Sequence, residues 1–298
     1  MWFIFAIAAL LCWSGSDLFS KIGSRPDDRY SHWKMVMAVG LIMGLHAMFE
    51  IFVSGVEINL SIIIKYLPAS LLYIISMVFG YVGLRYIELS VSSPICNSSG
   101  ALAALMCFVF LGDRLSGGPL VGVIIVCAGV IFLGITEYTE DENQRKLRQE
   151  KCNIKYSKSL VAILIPIIYC ILDAAGTFTD SIILETLNEE SANVAYELTF
   201  LLMGIISFVY VVIIKKDNLV PSREVPKLIG GICETAGQFA YVFAISENTI
   251  MAAPVISAYC AASVLWSRIF LKEKLSAKHY AAIAVTVIGI IILGVFDI

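Results

Sequence analysis

Ten long apolar runs divide the chain, and each is long enough to cross a lipid bilayer as a helix. A spanning helix needs about 20 apolar residues, because each residue advances it by about 1.5 Å. The runs are Trp2–Ser20, Trp33–Val53, Ile62–Leu84, Leu89–Leu111, Pro119–Thr136, Ser159–Ile183, Ala192–Ile214, Val225–Ile245, Thr249–Leu271 and Ser276–Phe296. The sequence therefore predicts an all-α integral membrane protein with ten transmembrane helices.

The composition excludes an ordinary soluble domain. Only 15% of the residues are charged, compared with about 25% in soluble proteins. A net charge of −3 gives no sign of nucleic-acid binding. No basic segment precedes the first run, so we expect a membrane span there and not a cleaved signal peptide.

The eight cysteines indicate no metal or disulfide framework, because seven lie inside apolar runs and none forms a CxxC pair. We expect no cofactor and no metal.

The two halves of the chain repeat each other. When the sequence is aligned with itself at an offset of 160 residues, the fourth and fifth runs align with the ninth and tenth without a gap. Pro94 then aligns with Pro254, and Gly129 aligns with Gly289. The predicted organisation is a first five-helix repeat at 1–136, a charged linker at 137–158 and a second repeat at 159–298. Two complete halves make a monomer or weak dimer sufficient.

An odd number of helices per repeat inverts the second copy in the membrane. The halves are then two inverted five-helix repeats, related by a pseudo-two-fold axis in the membrane plane. Inverted repeats place a site near the midplane between the halves and suit alternating access.

Three short motifs carry a family resemblance: Trp13-Ser14-Gly15, the turn from Phe110 to Ser116, and its copy from Phe270 to Ser276. With them the chain resembles the ten-helix drug/metabolite transporter superfamily, in its EamA-like group. The resemblance implies a transporter and not an enzyme. Members of the superfamily move amino acids, choline, nucleotide conjugates, sugars or drugs, so the fold leaves the substrate open.

The charges of the connections predict the orientation. Of 21 Lys and Arg residues, only Lys65 and Arg114 lie on the side of the even-numbered connections. The positive-inside rule places the odd-numbered connections in the cytoplasm, which puts both termini outside. The family resemblance implies both termini inside. We expect a multi-pass protein of the bacterial plasma membrane.

The first candidate site lies on the eighth predicted helix. Glu234, Gln238 and Tyr241 share one face, because they follow each other at intervals of four and three residues. An ionisable group within a span is costly and usually faces a cavity or a partner. Tyr81 joins these candidates, since the repeat lays Tyr81 on Tyr241. A structural hydrogen bond from Glu234 to a neighbouring helix is the alternative.

Further polar candidates lie in helices one, two and six. Asp173 is deep in the sixth helix. A looser alignment of the first helix with the sixth pairs Asp17 with Asp173 and Trp13 with Tyr169. A pair with Lys21 would instead make Asp17 a simple interfacial ion pair.

Proton coupling has three candidates: Glu234, Asp173 and His46. Histidine titrates near neutral pH, so His46 in the second helix could relay protons. A packed, hydrogen-bonded histidine is the alternative.

Helices four and nine contain matching breaks. Ser92-Ser93-Pro94 precedes Asn97, and Ala253-Pro254 precedes Tyr259. Paired broken helices in two repeats point to the binding site of a transporter. We therefore expect Asn97 and Tyr259 to line it.

The sign of the intramembrane charges predicts the substrate. The spans contain Asp17, Glu50, Asp173, Glu197 and Glu234 but no Lys or Arg near their middle. This favours a small cationic or zwitterionic metabolite, such as a choline-like amine, a polyamine or an amino acid, with or without proton coupling. An exporter of neutral or aromatic amino acids or hydrophobic drugs is the main alternative. An intramembrane enzyme is disfavoured because HExxH, GxSxG and phosphate-loop motifs are missing, whereas a role as an accessory subunit stays open.

Overall fold

The computed structural model describes residues 2–106, 109–110, 117–140 and 159–296, and all regular structure within them is helical. The helices are α1 (Trp2–Gly23), α2 (Ser31–Phe49, extended by a π-helical turn at Glu50–Ser54), α3 (Leu60–Gly83), α4 (Leu89–Cys96), α5 (Ser99–Met106), α6 (Gly117–Thr139), α7 (Ser159–Leu184), α8 (Glu189–Phe208, extended at Val209–Ile214), α9 (Pro221–Ser257), α10 (Tyr259–Trp266, extended at Ser267–Leu271) and α11 (Ala277–Phe296).

Most helix ends lie within a few residues of the predicted runs, but the eighth and ninth runs differ. They were predicted as separate helices, whereas α9 continues from Pro221 to Ser257 and the chain breaks at Ala258. Ser246, Glu247 and Asn248 were taken for a connection because they are polar. They include no Gly or Pro to end a helix, so the backbone hydrogen bonds continue through them. The break predicted at Pro254 lies one turn later.

Within the described residues, five helices are long and apolar enough to cross a membrane. They are Trp2–Gly23, Ser31–Ser54, Leu60–Gly83, Ala162–Leu184 and Glu189–Ile214. Shorter apolar stretches lie at Leu120–Leu133, Tyr259–Leu271 and Ala277–Ile292. Large apolar side chains such as Phe52 and Leu60 point outward, with 79% and 70% of their surface exposed. An apolar exterior of this kind fits hydrocarbon and not water.

Helices of the two halves pack against each other in pairs. α1 lies along α9, α2 along α8, α3 along α7, and α6 along α11, while α4 contacts α10. Small residues allow some of these backbones to approach closely. A Cβ atom on Gly40 of α2 would lie 2.6 Å from the carbonyl oxygen of Phe200 and 3.1 Å from Cα of Gly204 on α8. Such small-residue crossings are a common way for helices to associate in lipid.

A buried ionic cluster joins the α1–α2 connection to the start of α9. The Nζ atom of Lys34 lies 3.1 Å from Asp28, 2.8 Å from Asp217 and 4.0 Å from Glu224. Lys227 is fully buried and pairs with Glu224 at 3.1 Å. We call these five residues the Lys34 network. It lies on the side of the odd-numbered connections and links segments of both halves.

Candidate functional site

A cavity of about 790 Å³ lies between the two halves. Its walls come from α1, α3, α4, α7, α8 and α9, together with the start of α10. All nine residues predicted to bind substrate line it: Trp13, Asp17, Tyr81, Asn97, Asp173, Glu234, Gln238, Tyr241 and Tyr259. His46 does not. The structure thus brings together residues that are up to 246 positions apart, and their contact with a substrate stays a prediction.

Asp17 is held at a junction of three helices. Its Oδ2 atom accepts hydrogen bonds from Ser93 of α4 at 2.5 Å and from Ser263 of α10 at 2.7 Å. Lys21 donates instead to the carbonyl oxygens of Leu84 and Ile87, at 2.5 and 2.6 Å. The interfacial ion pair considered for Asp17 and Lys21 is therefore not formed.

Asp173 and Glu234 also have hydroxyl partners. Asp173 accepts from Ser76 of α3, at 3.4 Å, and from Ser99 of α5. Glu234 is hydrogen-bonded to Ser16 of α1. Among the described residues, no Lys, Arg or His side chain lies within ion-pair distance of these two carboxylates or of Asp17. All three acids thus line the cavity without a protein counter-charge.

Aromatic rings form much of the remaining wall. The Trp13 ring centroid lies 5.3 Å from that of Tyr241 and 5.6 Å from that of Tyr259. Gly237 makes room for this indole, since a Cβ atom there would lie 2.5 Å from Trp13 Cδ1. The motif that begins at Trp13 also has a packing role, because Ser14 accepts a hydrogen bond from Trp266 Nε1 at 3.0 Å.

Two other predicted residues differ in their hydrogen bonding. Asn97 donates from Nδ2 to the carbonyl oxygen of Ser93 at 3.1 Å, so it also stabilises the break between α4 and α5. Tyr81 is only 5% exposed, and its hydroxyl has no hydrogen-bond partner among the described residues. A buried hydroxyl usually needs a partner. The Tyr81 hydroxyl is therefore available to a polar group in the cavity.

His46 belongs to a separate series of linked polar side chains outside the cavity lining. Its Nδ1 atom lies 2.9 Å from Glu197 Oε1, and Nε2 lies 3.7 Å from Glu50. Glu197 is 1% exposed and accepts from Asn193 Nδ2 at 3.3 Å. Asn193 lines the cavity. His46 is thus linked to the cavity through Glu197 and Asn193.

The sequence did not single out several lining residues near one end of the cavity. Asp180 accepts a hydrogen bond from the Tyr66 hydroxyl at 2.7 Å, and exposed Glu189 lies nearby in the chain at the start of α8. Asp180 lies near the end of α7, seven residues after Asp173. This spacing, which keeps both on one face of a helix, was the available signal.

Comparisons with known proteins agree with the helical architecture. A model of the EamA-like transporter family matches residues 1–135. The search of curated proteins gave no match. A crystal structure titled only as that of a protein covers 97% of this chain and 96% of its own, with 15% identity and a TM-score of 0.60. At that identity the likeness concerns the fold alone.

The family match and the apolar helices together indicate a multi-pass membrane protein. Residues 111–116 of the first turn motif lie outside the described residues. Residues 1–135 are similar to the EamA-like transporter family, which is consistent with the drug/metabolite transporter superfamily that the sequence resembles.

Proposed function

We propose that the protein is a secondary transporter that moves a small cationic or zwitterionic metabolite by alternating access. The charge of the cavity carries this proposal. Every charged residue that lines it in the described part of the chain is acidic: Asp17, Asp173, Asp180, Glu189 and Glu234. An anionic substrate would meet no positive group there, whereas a cation would meet carboxylates and aromatic faces.

The two ends of the cavity support alternating access. Exposed Glu189 lines one end, near the start of α8. At the other end the lining residues Ser20, Leu84 and Leu89 are 4%, 7% and 1% exposed. The Lys34 network lies on that same side of the protein. One open and one closed end is the arrangement that alternating access requires of each state.

The packing pairs support two inverted repeats with ten spans. Exchange of the halves maps the pair α1–α9 onto α7–α3 and returns α2–α8 and α6–α11 to themselves. The glycine contacts follow the same exchange. A Cβ atom on Gly129 would lie 2.7 Å from the Thr286 nitrogen, and one on Gly289 would lie 2.7 Å from the Val126 nitrogen. The proposed repeats are 1–136 and 159–298, joined by the linker at 137–158, of which 141–158 lie outside the described residues.

For the orientation we propose the one that the loop charges favour, in a bacterial plasma membrane. The Lys34 network then faces the cytoplasm, and the open end and both termini face outward. A reporter that is active only outside the cytoplasm is expected to be active when fused to either terminus. Activity of a cytoplasmic reporter at both termini would reverse the orientation, and with it the side on which the cavity opens.

Proton coupling is proposed through the cavity acids Glu234 and Asp173, with His46 as a less direct candidate. A carboxylate that binds either a proton or a cation links the two by competition. His46 could exchange protons with the cavity through Glu197 and Asn193.

An exporter of neutral or aromatic amino acids or hydrophobic drugs is the second candidate. Trp13 and several tyrosines in the cavity wall favour it, since such rings bind apolar groups as well as cations. In that case the rings would bind the substrate and Glu234 would be structural.

A thermal-shift panel on the purified protein is expected to separate these candidates. A ligand that binds only the folded state, present at 100 times its Kd, stabilises the protein by about 2.7 kcal/mol. Quaternary amines, polyamines or amino acids should raise the melting temperature, while organic anions and nucleosides should not. Stabilisation by neutral or anionic compounds alone would overturn the cationic assignment.

A further inference from the structure

We infer that the cavity is built for a linear dication, a molecule with an ammonium group at each end of an aliphatic chain. This inference rests on the proposed function and narrows it. It follows from the positions of the cavity acids, which lie at two depths and not in a single cluster.

The two depths can be measured along one helix. Asp173 and Asp180 both line the cavity from α7 and are seven residues apart, so their Cα atoms are separated by about 10.5 Å along its axis. Seven residues are close to two full turns, which keeps both side chains on one face. Thr177 lies between them, also in the wall.

The inner position has three acids. Asp17 and Glu234 join Asp173 there, each from a different helix and each with only serine hydroxyls as hydrogen-bond partners among the described residues. The unpartnered hydroxyl of Tyr81, on a side chain that is 5% exposed, faces the same region. An ammonium group carries several donors, so it can bond a carboxylate and a phenol oxygen together.

The outer position has a carboxylate that is held in place. Asp180 accepts a hydrogen bond from Tyr66 at 2.7 Å, and no basic side chain among the described residues pairs with it. Glu189 lines the same end of the cavity. A single ammonium group bound at the inner position would leave both of these acids without a counter-charge.

The wall between the two positions suits methylene groups. Tyr73 packs against Gly176, where a Cβ atom would lie 2.9 Å from the ring, and its hydroxyl donates to Thr177 at 3.2 Å. The Tyr73 ring is fixed against a glycine and lines the cavity, so it forms an aromatic surface along which an aliphatic chain can lie.

Binding of two matched series of amines tests the inference. The purified protein is titrated calorimetrically with n-alkylamines and with α,ω-diamines from diaminopropane to diaminodecane. We expect the diamines to bind more tightly once the chain spans both positions, by about tenfold in Kd, the ordinary contribution of one charged hydrogen bond. We expect Asp180→Asn to abolish this advantage, because the second ammonium group then loses its carboxylate partner.

The controls separate this inference from the proposed function. Glu190→Gln, which removes a nearby exposed acid outside the cavity wall, should keep the diamine advantage. Glu189→Gln is a second outer variant in case Asp180→Asn does not fold, and it should reduce the advantage. Equal binding of monoamines and diamines by the wild-type protein would overturn the dication and leave a monocation transporter. No binding of any amine would overturn the dication together with the cationic substrate of the proposed function.

Discussion

Glu234→Gln is expected to abolish amine transport while the protein stays folded and inserted. The amide keeps the size of the side chain and can keep the hydrogen bond to Ser16, so packing in α9 is preserved. It removes the negative charge at the inner end of the cavity. Loss of one partner from a buried charge pair costs about 2–5 kcal/mol, so we expect amine affinity to fall by about a hundredfold.

The measurement is amine uptake into proteoliposomes, with the thermal shift of the same preparation as a test of folding. Glu190→Gln is the matched control, because it makes the same chemical change on an exposed residue outside the cavity. Uptake that persists at the wild-type rate in Glu234→Gln would remove this residue from the site. It would shift the search to Asp17 and Asp173.

Lys34→Met is expected to destabilise the closed end of the protein. Lys34 is 4% exposed and pairs with Asp28 and Asp217, with Glu224 at 4.0 Å. Methionine removes the positive charge of Lys34. The three acids of the network then have Lys227 as their one remaining cation within it. Breaking a buried ion pair by removing one partner costs about 3–5 kcal/mol.

The expected result is a clear fall in melting temperature, together with slower uptake, because the proposed alternating access requires this end of the cavity to close. Lys278→Met is the control, since Lys278 is exposed at the start of α11 and has no ion pair among the described residues. An unchanged melting temperature in Lys34→Met would contradict a structural role for the network. A lower melting temperature with normal uptake would separate stability from the transport cycle.

Much of the fold could be predicted because hydrocarbon imposes a simple length rule. The ends of α3, α7 and α11 follow from where the apolar runs stop. The boundary between the eighth and ninth runs was wrong because Ser246 to Asn248 are polar but compatible with a helix. Polarity indicates where a helix leaves the membrane and does not by itself indicate where the helix ends.

The cavity residues could be proposed from the sequence because acids and amides are rare within spans, and the repeat pointed to matching positions. The hydrogen-bond partners of these residues could not be predicted from the sequence. Ser263 lies 246 positions from Asp17, and serine is common enough within helices to give no signal. Lys21 was a plausible partner of Asp17 by spacing alone, but its long side chain reaches the carbonyl oxygens at the end of α3 instead.

The glycine crossing of α2 and α8 has a mechanical consequence. Around Gly40 and Gly204 backbone meets backbone, with no side chain of either residue projecting between the helices. Interlocked side chains must withdraw from their grooves before two helices can tilt, and each withdrawal adds to the activation barrier. Around these two glycines that contribution to the activation barrier is absent. In the alternating access proposed above, we therefore expect α2 and α8 to tilt at this crossing and not at the neighbouring contact of the Leu201 side chain with Gly44.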